Sequence, residues 1–141
     1  MLLLCASNMV AQTPTDSMPH QLTEADFLIK VMDFRNNPQQ WVFLGQRPCI
    51  IDYYTTWCRP CKQLAPILEE LAREYAGQID IYKIDIDKER TLAALFQVQS
   101  IPTLLFCPLG QNPQMVKGLL PKETLCEVIE QLLLPSIPQK Q

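Results

Sequence analysis

Two cysteines two residues apart are the most reactive feature of this 141-residue chain: Cys58 and Cys61, in the run Trp57-Cys58-Arg59-Pro60-Cys61-Lys62. A short apolar run, Cys49 to Tyr54, precedes the motif, and a stretch with apolar residues at helical spacing follows it. Cys58 therefore falls at the start of a predicted helix, where unpaired backbone N–H groups and the helix dipole favour a thiolate over a thiol. The two intervening residues place Cys61 one turn away, within reach of a bond to Cys58. Such a pair suits thiol–disulfide exchange. An exposed Cys58 attacks a substrate disulfide, and a more buried Cys61 resolves the mixed disulfide and releases the reduced substrate. Pro60 restrains φ within the motif, and Trp57 either flanks the pair as an aromatic wall or packs into the core. Arg59 sets a cation between the sulfurs, which favours the thiolate and hence the reduced form, making the pair more oxidising.

Other chemistries have less support. The chain has six cysteines but a single histidine, His20, and only one close-spaced cysteine pair, so a thiolate metal site is not expected. Cys49, Cys107 and Cys126 lie in predicted strands or helices and read as buried small hydrophobes, with a disulfide among them as the lesser reading. The net charge is −3 with no basic stripe, so nucleic acid is not an expected partner. Asp52 interrupts an apolar strand, and a buried carboxylate there is costly unless it has a task.

The elements that must hold these residues can be read from period and punctuation. His20-Gln21-Leu22 is a short edge strand. Thr23 caps a helix with Asp26 in its first turn, carrying Phe27, Val31 and Phe34 on one face and ending at Asn36-Asn37-Pro38. A connection over 38–47 tucks Trp41 and Phe43 onto the core. After the strand 49–54 comes a helix from about Cys58 to Tyr75, with Pro66 as an expected kink. Strands follow at Ile79 to Asp85, Thr103 to Cys107 and Met115 to Lys117. A short helix spans Glu89 to Phe96, and a last one runs from Pro121 to Leu134. Alternation in the middle predicts parallel strands joined by crossovers, and the short turn from Gly110 to Pro113 predicts an antiparallel final pair.

Several separated runs resemble the thioredoxin family, in the right order and over about residues 19 to 134. They are Ile51-Asp52-Tyr53, the motif from Trp57 to Lys62, Ala65-Pro66, Lys83-Ile84-Asp85-Ile86-Asp87, and Val98-Gln99-Ser100-Ile101-Pro102-Thr103, with Gly110 and Gly118 after them. The departures are Arg59 where glycine is usual and Tyr54 where tryptophan is common. The resemblance implies an α/β thioredoxin fold, a mixed central sheet of four to five strands flanked by helices on both faces. It implies that Asp52 is the buried carboxylate behind the resolving cysteine, its pKa raised so that it accepts the Cys61 proton, with Lys83 beside it. It implies a cis peptide at Ile101-Pro102, where a substrate segment adds as a short strand through main-chain hydrogen bonds. Trp57, Arg59 and Pro60 complete the expected substrate surface.

The expected function is protein-disulfide reduction, with a disulfide-forming oxidase or isomerase, or a non-redox module on the same fold, as alternatives. No cofactor beyond the redox disulfide is expected. The partners are disulfide-containing proteins and an upstream thiol reductant, and the chain is expected to be monomeric. Residues 1–18 read as a leader remnant and linker, 19–134 as the domain and 135–141 as a tail. Leu2-Leu3-Leu4 and a candidate cleavage point after Ala11 resemble the end of a signal peptide with its start codon assigned too late. This predicts a periplasmic or secreted protein served by a membrane electron conduit. The alternative is a cytoplasmic protein served by a thioredoxin reductase.

Overall fold

The computed structural model describes residues 17–135. The leader and most of the tail lie outside them. The elements run β1 (His20–Gln21), α1 (Glu24–Lys30), β2 (Cys49–Tyr54), α2 (Arg59–Glu74), β3 (Asp80–Asp85), α3 (Arg90–Leu95), β4 (Thr103–Cys107), β5 (Gln114–Lys117) and α4 (Lys122–Val128). They form one five-stranded sheet in the order β1-β3-β2-β4-β5. β3 is parallel to both β1 and β2, whereas β4 is antiparallel to β2 and β5 antiparallel to β4.

Connection length explains these directions. The sixteen residues of α2 cover about 24 Å, enough to carry the chain back along the whole of a six-residue strand of about 20 Å. β3 therefore starts where β2 started. The six residues of α3 cover only about 9 Å. The chain does not return, and β4 begins at the end where β3 finished, so the parallel arrangement expected for the middle strands stops at β3.

Alternation along the central strands splits the core in two. Ile50, Ile81, Leu104 and Phe106 face α2 and α4, meeting Leu64, Leu68, Leu71, Leu125 and Ile129. Cys49, Ile51, Tyr53, Leu105 and Cys107 face the other way, onto Phe27, Val31 and Leu92. Trp41 and Phe43 pack against this second cluster, their rings stacked at 6.0 Å.

Two helices end differently from expectation. Thr23 caps α1 in a reciprocal capping box with Asp26, but the helix stops at Lys30 rather than near Asn36. Its Val31 carbonyl is taken by the Leu44 N–H at 2.9 Å, so the incoming connection replaces the next helical bond. Phe34 still reaches the core from the turn that follows, its ring 6.1 Å from Phe27. The last helix changes after Val128 into a π turn over Ile129–Leu133, closed by the Leu134 N–H on the Ile129 carbonyl. Pro66 stands inside α2 without ending it.

Candidate active site

β2 runs out at Tyr54 and hands the chain through a short loop to Cys58, which is the N-cap of α2. Cys58 has extended backbone angles, φ −78° and ψ 115°. Its Sγ accepts the Cys61 N–H at 3.2 Å. A sulfur thus does the work usually done by a serine or aspartate oxygen, satisfying one of the orphan donors of the first turn. Arg59 and Pro60 occupy the first two helical positions, where the missing proline N–H costs nothing. The two cysteines are joined as a disulfide with Cα atoms 5.2 Å apart. When that bond opens, the Cys58 sulfur already lies against helix N–H groups that favour its negative charge. Exposure does not separate the pair as expected. In the disulfide form Cys58 is 5% and Cys61 4% exposed, because the capping sulfur turns inward onto the helix end.

Asp52 sits in the middle of β2, 1% exposed. Its neighbours Ile51 and Tyr53 face the α1 side, so its carboxyl projects to the α2 side with Ile50. Oδ1 has no hydrogen-bond partner among the described residues. Burial pushes the carboxyl up to about 7, with the Lys83 charge pulling the other way. Lys83 is the register partner of Asp52 on β3, and its Nζ lies 4.3 Å from the centre of the Tyr54 ring. The structure therefore brings Asp52, Lys83 and Tyr54 onto one face of two adjacent strands.

Trp57 is 69% exposed, and its indole Nε1–H donates to Asp87 Oδ2 at 2.9 Å. The ring is therefore at the surface and is not core packing. Asp87 is in turn held by its own N–H, which donates to Asp85 Oδ1 at 3.0 Å. Sequence reasoning gave Asp87 no role, since a contact across thirty positions leaves no local signal.

The Ile101-Pro102 peptide is cis. Tyr53 pairs with Thr103, so Pro102 lies at the same end of the sheet as the loop to Cys58. The Pro102 carbonyl accepts the Gly118 N–H at 2.8 Å, and Gly118 has φ +94°, a conformation that suits a residue without Cβ. Arg59 and Pro60 are exposed beside the pair.

The family model for thioredoxin matches residues 28–131. The chain is similar to a thioredoxin of Borreliella burgdorferi, 44% identical over 113 residues that cover 80% of this chain and 96% of that one. It is also similar to a thioredoxin of Staphylococcus saprophyticus, 45% identical over 108 residues covering 75% and 98% of the two chains. Among solved structures, the N21Q mutant thioredoxin from Halobacterium salinarum superposes with a TM-score of 0.68 at 26% identity, covering 89% of this chain and 99% of that one. Likeness this broad reaches the sheet, both flanking layers and the helix that the Cys58 sulfur caps, and on it the chain belongs to the thioredoxin family of thiol–disulfide oxidoreductases.

Proposed function

We propose that the protein reduces disulfides in other proteins, with Cys58 as the attacking sulfur and Cys61 as the resolving one. The observation that carries this reading is the Cys58 sulfur accepting a backbone N–H at the start of α2. In the reduced protein the Cys58 thiolate attacks one sulfur of the substrate disulfide, and the displaced sulfur leaves as a thiolate that takes a proton. Asp52 then accepts the Cys61 proton, for which a carboxyl at about 7 is well matched near neutral pH. The Cys61 thiolate attacks Cys58, and the second substrate sulfur leaves. The Cys58–Cys61 disulfide has formed, the substrate has gained two thiols, and two electrons have passed. Lys83 tempers the charge left on Asp52. The Cys58–Cys61 dithiol itself carries the two electrons, so the step needs no bound cofactor.

The substrate lies along Ile101-Pro102 as an added strand, against the exposed face of Trp57, with Arg59 and Pro60 at the rim. The partners are folded or partly folded proteins with accessible disulfides, and the chain works as a monomer. A thioredoxin reductase is the fitting donor in the cytoplasm. The matched relatives fit that alternative, while the periplasmic or secreted reading, with its membrane conduit, rests on the leader-like residues alone. Arg59, exposed at the first position of α2, favours the reduced pair and so pulls toward oxidation of dithiols.

Insulin reduction driven by a small dithiol tests the proposal. The wild-type chain should accelerate precipitation of the insulin B chain, and Cys58→Ser should abolish that acceleration. If the wild type is inactive on insulin yet reactivates a reduced, unfolded disulfide protein, the direction proposed here is wrong and the oxidase reading replaces it.

A further inference from the structure

Two cysteines outside the redox pair stand face to face. Cys49 opens β2, Cys107 closes β4, and the two are direct partners in the antiparallel register. Opposed residues in such a pair point to the same face with Cα atoms about 4.5 to 5.5 Å apart, inside the span that a disulfide bridges. Both are fully buried and both are free thiols. Tyr53 continues the same strand face, and its buried hydroxyl has no partner among the described residues. Burial and the neighbouring thiol hold the Cys49 thiol well above its ordinary range. In the closed sheet Cys49 thus holds its proton and neither sulfur meets solvent, so exchange is shut off although the two residues stand directly opposite each other.

We propose that Cys49 and Cys107 are a latent second disulfide, made while the chain folds in the presence of a low-molecular-weight disulfide and closed to exchange once β2 and β4 have paired. In the open chain one of the two thiolates attacks the small disulfide and releases a small thiolate. The other then attacks the mixed disulfide and releases the second. Two cysteine thiols become one disulfide, one small disulfide becomes two thiols, and the two cysteine protons end on those thiols. The bond staples the strand that leads to Cys58 to the strand that begins after Pro102. It closes a loop of about 60 residues, which restricts the unfolded chain and so stabilises the fold without touching the redox pair.

The full-length chain is unfolded, reduced and refolded with oxidised glutathione, both as wild type and as a Cys58→Ser/Cys61→Ser variant that removes the redox pair from the count. Peptide mapping in acid without reductant should find Cys49 joined to Cys107 in both proteins. The linked variant should melt several degrees above the same variant refolded with reduced glutathione. Folded, reduced protein placed in the same buffer should keep both thiols. Recovery of Cys49 and Cys107 after oxidative refolding as free thiols or as separate glutathione adducts would overturn the proposal. Linkage at the same rate in the folded protein would overturn it as well.

Discussion

Asp52 holds its carboxyl where water cannot stabilise the charge, and this couples the site to the stability of the whole chain. In the unfolded chain the group ionises near its ordinary 3.8, while in the folded protein it keeps its proton up to about 7. Between those values the folded state binds more protons, so stability is full below 3.8, falls as pH rises through the window, and is lowest above 7. Ionisation then costs up to about 4 kcal/mol. Asp52→Asn cannot ionise. Denaturant unfolding should show it gaining on the wild type between pH 4 and pH 8 by up to that amount, roughly 4 kcal/mol. The buried amide costs the same at both pH values, so the change belongs to the carboxylate, and a pH-independent difference would contradict this account. The variant should also resolve mixed disulfides more slowly, with a rate that loses its rise through neutral pH. Asp52 was legible in the sequence because a lone carboxylate in an apolar run declares itself. Asp87 and the facing of Cys49 by Cys107 were not, because both depend on which distant segments become neighbours.

Helix length is the quantity that decides how the elements deliver the site. α2 is long enough to return the chain and parallel β3 to β2, while α3 is too short to do so, which turns β4 round and brings Pro102 to the end of the sheet that carries Cys58. The strands themselves were readable as short apolar runs between turn residues: β4 falls on the expected Thr103 to Cys107 and β2 on Cys49 to Tyr54. The end of α1 was not, because the Leu44 N–H that stops it comes from a segment beyond any helical signal. α2 is held to the sheet by Leu64, Leu68 and Leu71, all fully buried. Leu68→Ala should destabilise the protein by about 3 kcal/mol through lost burial and the cavity left behind. It should do so with little change in the reduction potential, since the capping sulfur lies at the far end of the helix. Equilibrium unfolding and redox titration of the same variant check both halves. A large shift in potential would show that the helix end is not the independent unit described here.

At the scale of the molecule, one sheet separates two apolar clusters, and the redox pair lies at the end of the sheet that carries both the loop after β2 and the loop before β4. The family was legible because its matching runs come from five separate places and keep their order, which a single Cys-X-X-Cys would not have shown. The near-equal cover of the two cysteines was not legible, since it depends on the Cys58 sulfur turning onto the Cys61 N–H. The central claim is the division of labour between those sulfurs, and a Cys61→Ser variant tests it most directly. Reduced and mixed with a disulfide-bearing protein such as insulin, this variant should stop at a one-to-one mixed disulfide. Mass spectrometry should place the linkage at Cys58, excess reductant should release it, and the Cys58→Ser variant should not form it. An adduct that maps to another cysteine, or one that Cys58→Ser forms equally well, would contradict the assignment of Cys58 as the attacking sulfur.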